Sequence, residues 1–357
     1  MGLFSRFKKS SEGETKKRSA VLTVASNQKV SASANMIAFT IPESLQQEFD
    51  FEPGQYINLH CPVGNETLIR SYSICSGKND GLAVGVKAIE GGKASNWLVH
   101  TLKAGDSIEV DFPQGNFKVP AGSKNLVAFA AGSGITPIFS IAKSLSPDQQ
   151  LTLFYGNTNP EEAMFVQELQ ALPQVNVHLY YSRTDVAGTQ KGRLDKQAIS
   201  EAIKAELSLL RADHFFICGP EAMIMGAQEV LTVFGIQKER VHFELFTTPV
   251  LMKQEETTVV GAFEGVSKVS AVLDNQIVQI ELPTNGKSIL DALDAAGQDV
   301  PYSCKGGVCC TCKAKIIEGS ARMTINYALT DDEVKEGYIL TCQAHPTSEV
   351  LKLDFDV

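Results

Sequence analysis

The cysteines are the residues of this sequence best placed to do chemistry. Eight are present; Cys304, Cys309, Cys310 and Cys312 fall within nine residues, while Cys61, Cys75 and Cys218 stand far apart. Cys342 follows Cys312 by thirty residues. Taking Cys304, Cys309, Cys312 and Cys342 gives C-x4-C-x2-C with a distant fourth thiol, the spacing that holds a [2Fe–2S] cluster. Two irons need soft anionic ligands, two for each. Gly306 and Gly307 let the backbone wrap closely, so that N–H groups reach the sulfides. A tetrahedral zinc site also takes four cysteines, but such sites more often show two tight C-x2-C pairs, and only one is found here. Cys310 is the surplus thiol and reads as a non-ligand.

A second group of motifs suits phosphates and planar rings. In Arg70-Ser71-Tyr72-Ser73, the guanidinium can clamp a phosphate, the phenol can stack on a ring and Ser73 can hydrogen-bond the ring edge. Gly91-Gly92-Lys93-Ala94-Ser95 reads as a Gly-rich turn entering a helix, with Ser95 as cap or phosphate ligand. Ala131-Gly132-Ser133-Gly134-Ile135-Thr136-Pro137 follows an apolar strand and precedes a helix, the place for a pyrophosphate cradle. It departs from G-x-G-x-x-G, with Pro137 in the last position. Cys218-Gly219-Pro220-Glu221 follows another apolar run, and His242-Phe243-Glu244-Leu245-Phe246 lies beyond it. Singly, each has a plainer explanation: an ordinary strand, a small buried hydrophobe at Cys218, a terminal strand at Glu244.

The elements that must position these residues change character along the chain. From Ala20 to Phe117, β-rich runs at Val21–Val24, Met36–Ile41, Tyr56–His60, Leu82–Val86 and Ser107–Val110 alternate with turn residues and predict a sandwich or small barrel. From residue 119, buried-strand candidates at Leu126–Ala130, Leu151–Tyr155, Val175–Tyr181 and His214–Cys218 alternate with helices, predicting a parallel α/β sheet. Thr247–Val266 reads as a linker. Beyond it, Val269–Leu273 and Gln276–Leu282 flank Asp274-Asn275 as a hairpin, and a helix follows near Ser288–Ala296. The expected division is a basic flexible tail over 1–19, a β-rich domain over 20–118, an α/β domain over 119–246, the linker and a cysteine-cluster domain over 267–357.

The order of the motifs resembles the ferredoxin–NADP reductase superfamily from Ala20 to Phe246, and Val269–Val357 resembles plant-type ferredoxins. The resemblance implies an antiparallel β-barrel flavin domain, a five-stranded parallel α/β nicotinamide-binding domain and a β-grasp [2Fe–2S] domain. Arg70, Tyr72 and Ser73 would hold the flavin, and Lys93, Ala94 and Ser95 its phosphates; FAD is preferred over FMN. Gly132, Gly134, Thr136 and Pro137 would meet the nicotinamide cofactor's pyrophosphate. Cys218, followed by Gly219 and Pro220, would meet its ring, while Glu244 and Phe246 cover the flavin's other side. Cys218, Glu244 and Ser73 would tune the hydride step. NADPH is favoured over NADH, because Ser182, Arg183, Lys191 and Arg193 offer cations to a 2′-phosphate. Asp185 nearby weighs the other way.

Together these modules imply an NAD(P)H oxidoreductase that passes electrons singly, through its cluster, to a partner protein. Thr324–Leu329 with Tyr338–Gln343 resembles the reductase components of the bacterial phenylacetyl-CoA epoxidase family, which would make the acceptor a di-iron monooxygenase. A Rieske-type oxygenase or demethylase, a small ferric acceptor or a non-enzymatic redox switch are the other readings. The net charge of −9 opposes general nucleic-acid binding. No apolar run reaches the roughly 18 residues of a membrane span. The tail, with Phe4, Phe7, Lys8 and Lys9, reads as disordered, weak membrane contact being its alternative. Without an export signal the thiols imply a reducing compartment, most simply the cytoplasm. Acidic residues outnumber basic ones thirteen to eight from Ser267 onward, and Asp331, Asp332 and Glu333 are expected to steer a basic partner.

Overall fold

The structure is a computed structural model and describes residues 18–248, Val250 and residues 263–357. Most of the expected tail and linker therefore lies outside the described residues. At the edges, Ser19 already opens the first strand and Val266 already opens the strand after the linker.

Strands β1 (Ser19–Lys29), β2 (Ala34–Thr40), β3 (Tyr56–Val63), β4 (Glu66–Ser73) and β5 (Leu82–Lys87) are followed by helix α1 (Lys93–His100) and strand β6 (Ser107–Asp111). They form one antiparallel sheet in the order β4-β3-β6-β1-β2-β5. A bridge between Ile74, just past β4, and Val84 of β5 brings its two edges together as a barrel. Its interior is filled by alternating apolar residues such as Leu22, Ile37, Ile57, Leu59 and Val84.

The chain then alternates β7 (Asn125–Ala131), α2 (Ile135–Lys143), β8 (Gln150–Asn157), α3 (Val166–Ala171), β9 (Val175–Tyr181), β10 (Gln190–Lys191), α4 (Lys196–Ala205), β11 (His214–Cys218), α5 (Glu221–Val233) and β12 (Val241–Glu244). All strand pairs are parallel, in the order β10-β9-β8-β7-β11-β12. The sheet thus has six strands where five were expected, the sixth being the two-residue edge β10. Near-continuous apolar runs make these strands because both sheet faces are covered. One apolar cluster runs from Ala34, Cys75 and Ala83 of the barrel into Leu126, Ile138 and Phe216 of this domain, so the two share a core.

The last domain comprises β13 (Val266–Leu273), β14 (Gln276–Pro283), α6 (Ile289–Ala295), β15 (Lys313–Glu318), β16 (Ala321–Met323), α7 (Asp331–Lys335), β17 (Tyr338–Leu340), β18 (Ala344–Pro346) and β19 (Val350–Asp354). Its main sheet, β14-β13-β19-β15-β17, with α6 packed on it, is a β-grasp. Asp274 and Asn275 both adopt positive φ, 49° and 60°, as a two-residue hairpin turn requires. Ser288 caps α6 by accepting the Asp291 N–H.

Candidate functional site

The first cavity, of about 670 Å³, opens where strand β4 ends. Arg70, Tyr72 and Ser73 line it together. Among the described residues Arg70 donates to the neighbouring Ile69 carbonyl alone, which leaves most of its five N–H groups for an anion. Ser95 lines the same cavity, but it is not the cap of α1. Gly92 takes the N-cap place, and the Ser95 hydroxyl accepts the Ile89 N–H at 3.2 Å, closing the preceding turn. Ala94 is buried in the first turn of α1, and Lys93 is exposed, 3.4 Å from Glu66.

Ser73 donates to Glu244 at 3.2 Å, joining the end of β4 to the end of β12 across 171 residues of sequence. Burial pushes the Glu244 carboxyl up to about 8, against the pull of the Ser73 hydroxyl. Cys218 pairs with Glu244 in the strand register and is fully enclosed. Burial, and then the charge of Glu244, raise its thiol pKa, so it stays protonated and is no nucleophile. The expected trio of Ser73, Cys218 and Glu244 therefore meets at one place.

A second cavity, of about 600 Å³, lies over the carboxyl ends of β7, β8 and β11, where open α/β sheets bind ligands. Gly132 and Gly134 line it, and Gly219 and Pro220 face them. Gly132 has φ 56°, and a side chain at Gly134 would strike the Cys218 carbonyl, so the loop requires both glycines. Thr136 and Pro137 are buried in the first turn of α2, and the Thr136 hydroxyl donates to the Ser133 carbonyl. Thr136 lines the first cavity rather than the second. Ser182, Arg183 and Arg193 line the second cavity; Lys191 does not, because its ammonium turns to Asp185 at 3.2 Å. Phe246 and Thr247 line both cavities and mark their junction. Lys87, also common to both, holds Glu162 at 2.8 Å; a single Lys at the end of an apolar strand carried no signal in the sequence.

The four expected cysteine ligands stand as pairs. Cys304 and Cys309 are 3.1 Å apart, and the thiols of Cys312 and Cys342 share a hydrogen bond. The Cys309 thiol lowers the pKa of Cys304, and Cys312 lowers that of Cys342 in the same way, so one thiol of each pair is eased toward the thiolate that a metal takes. Gly306 donates its N–H to the Cys304 sulfur at 3.3 Å. Among the described residues no three such side chains converge on one ion. Two thiol pairs suit two irons better than a single tetrahedral zinc. The Cys310 sulfur turns away to the Ala328 carbonyl at 3.6 Å, consistent with a non-ligand.

Cys304 and Cys309 also line the first cavity, together with Arg70–Ser73. The cysteine loop of the last domain is therefore part of its wall, and Ser303 lies 3.0 Å from Ser71 there. The acidic group on α7 is less free than expected. Glu333 accepts from Asn116 at 2.8 Å and Lys313 at 3.2 Å and closes a capping box with Thr330, so it ties domains together rather than facing a partner. Asp332 pairs with Lys335.

Three family descriptions match the chain: an oxidoreductase FAD-binding domain over residues 21–119, an oxidoreductase NAD-binding domain over 129–229 and a 2Fe-2S iron-sulfur cluster binding domain over 272–347. The chain is 36% identical to one of the subunits of the 1,2-phenylacetyl-CoA epoxidase of Escherichia coli K12, covering 94% of this chain and 97% of that one. It is 30% identical to the ferredoxin reductase component of 3-ketosteroid-9-alpha-monooxygenase from Rhodococcus rhodochrous, covering 95% and 97%. Among solved structures, phthalate dioxygenase reductase, described as transferring electrons from pyridine nucleotides to [2Fe–2S], superposes with a TM-score of 0.57 at 25% identity, over 94% of this chain and 98% of that one.

Proposed function

Because the chain belongs to the family of reductases that join an FAD-binding, an NAD-binding and a C-terminal [2Fe–2S] domain, we propose that it draws electrons from NADPH and delivers them one at a time to an oxygenase partner. The observation that carries this reading is the first cavity, whose lining brings Arg70, Tyr72 and Ser73 together with Cys304 and Cys309. When bound, the flavin takes an electron pair as hydride and releases it singly to the cluster.

The chain's own residues then have distinct tasks. Arg70 and the α1 turn with Lys93, Ala94 and Ser95 would hold the flavin's phosphates, and Tyr72 would offer its ring a stacking face. Ser73 and Glu244 would present a hydrogen-bonded edge to it, with Glu244 protonated near neutral pH. The Gly132–Gly134 loop and the adjoining helix receive the nucleotide's pyrophosphate. Gly219 would close the floor at the nicotinamide with the enclosed Cys218 behind it, and Phe246, which lines both cavities, would cover the flavin's other side.

NADPH is preferred over NADH because Arg183 and Arg193 face the second cavity, while Asp185 is paired with Lys191 outside it. Asp195 lines that cavity, but it caps α4 through the Ala198 N–H. All eight cysteines are free thiols, which favours a reducing compartment, the cytoplasm. No helix among the described residues is long and apolar enough to cross a membrane.

The decisive experiment is anaerobic titration with NADPH and, separately, NADH, followed by absorbance and EPR. The expected result is flavin bleaching at lower NADPH than NADH, then a rhombic signal from a reduced [2Fe–2S] cluster. Bleaching with no cluster signal would refute the carrier role.

A further inference from the structure

Strand β3 carries Tyr56, Asn58 and His60 on one face and Ile57, Leu59 and Cys61 on the other. The apolar face fills the barrel. The polar face is covered by the last domain, and Asn58 is wholly enclosed. Each hydrogen-bonding group of its amide is used. One Nδ2 proton goes to Asp111 at 2.8 Å and the other to the Thr311 hydroxyl at 3.0 Å. The Oδ1 accepts from Ser71 at 2.7 Å, and Ser71 lies 3.0 Å from the Ser303 hydroxyl.

Asp111 sets which way the amide points. Its carboxylate only accepts, so it excludes the flipped amide, whose oxygen would face it. His60 holds the other carboxylate oxygen at 2.7 Å. The two residues that Asn58 reaches bracket the ligand loop, because Ser303 precedes Cys304 and Thr311 separates Cys310 from Cys312. Between these anchors Tyr56, which lines the first cavity, accepts the Cys310 N–H at 2.9 Å.

We infer that Asn58 is a positioning residue for electron transfer: through Thr311 directly, and through Ser71 to Ser303, it fixes the cluster loop against the flavin cavity. The inference rests on the functional reading above and adds a part to it. Asn58 lines neither cavity and reaches the first through Ser71 alone among its side-chain bonds, so its removal leaves Arg70, Tyr72 and Ser73 in place. Loss of its bonds lets the loop shift relative to the flavin, and electron transfer between fixed centres falls with small displacements.

The test is Asn58→Leu in the full chain carrying flavin and cluster, reduced by NADPH in an anaerobic stopped-flow instrument. Flavin bleaching should stay within about twofold of the parent, while cluster reduction slows by about tenfold or more. Backbone amides of residues 303–312 should exchange deuterium faster, and the cluster's midpoint potential should be unchanged. Cluster reduction at the parent's rate, or a potential shift large enough to explain the slowing, would overturn the inference. Should the Leu variant not load flavin, Thr311→Val removes one anchor from the other side and should give the same split in smaller measure; an unaltered rate there also overturns it. Failure of NADPH to bleach the parent's flavin would instead sink the functional reading itself.

Discussion

Glu244 sits at the end of β12 with partial solvent access, yet protein surrounds its carboxyl closely enough to raise the pKa from an ordinary 4.5 to about 8. The folded chain therefore keeps a proton that the unfolded chain releases. Stability is full below about pH 4.5 and is lost as pH rises through about 8. In the flavin-free protein, Glu244→Gln should match the parent near pH 4 and exceed it near pH 9 by about 2 kcal/mol, the shift being discounted for solvent access. Thermal melts at several pH values measure this; a constant difference across the range would contradict the assignment. Ser73 is retained by the amide oxygen of Gln, so the hydrogen bond is not the variable. Nothing near Glu244 in the sequence indicates a raised pKa, because the enclosing atoms come from Ser73 and Cys218, each on a different strand.

At the scale of elements, helix α7 has only five residues and depends on its cap. Thr330 and Glu333 bond reciprocally, and Glu333 also reaches Lys313 of β15 and Asn116 of the loop after β6. Removing it as Glu333→Ala should cost about 1–3 kcal/mol. Asp331→Ala and Asp332→Ala should leave stability close to the parent's, since the Asp332–Lys335 pair is exposed. Chemical denaturation followed at the cluster's absorbance separates these cases, and equal losses for all three would be inconsistent with the tie. The run of three acids reads in the sequence as one patch. Its members divide only because a helical turn sends Glu333 back toward the barrel. The Asp274-Asn275 hairpin, by contrast, was legible outright, because two positive φ values in a two-residue turn select those residue types.

In the whole molecule the domain contacts differ in kind. The barrel and the nucleotide domain share an apolar cluster. The β-grasp domain lays Val308 and Tyr327 against the apolar cluster of the nucleotide domain, and it meets the barrel through polar ties. Among them are Asn58 to Thr311, Tyr56 to Cys310, Asn116 to Glu333 and Arg18 to Asp356. Polar surfaces survive exposure to water better than apolar ones. The boundary proposed after Phe246 follows: a chain ended at Thr248 should fold, bind flavin and be bleached by NADPH while lacking the cluster signal. Insoluble or flavin-free product would show that the last domain is integral to the barrel.

The sequence alone determined the chemistry and the modules. Thiol spacing specifies a cluster, glycines at strand–helix junctions mark the proposed phosphate sites, and period-two or buried apolar runs specify a barrel and a parallel sheet, since all are local consequences of residue type and short-range geometry. Only the tertiary structure decided what faces what. Tyr56-Ile57-Asn58-Leu59-His60 is a plain alternating strand in sequence, and its polar side is buried solely because another domain covers it. Lys191 looks like Arg193 until Asp185 claims it, and Ser95 looks like a cap until Gly92 takes the place. Such roles depend on partners distant along the chain, and Cys304 and Cys309 meet the flavin cavity for the same reason.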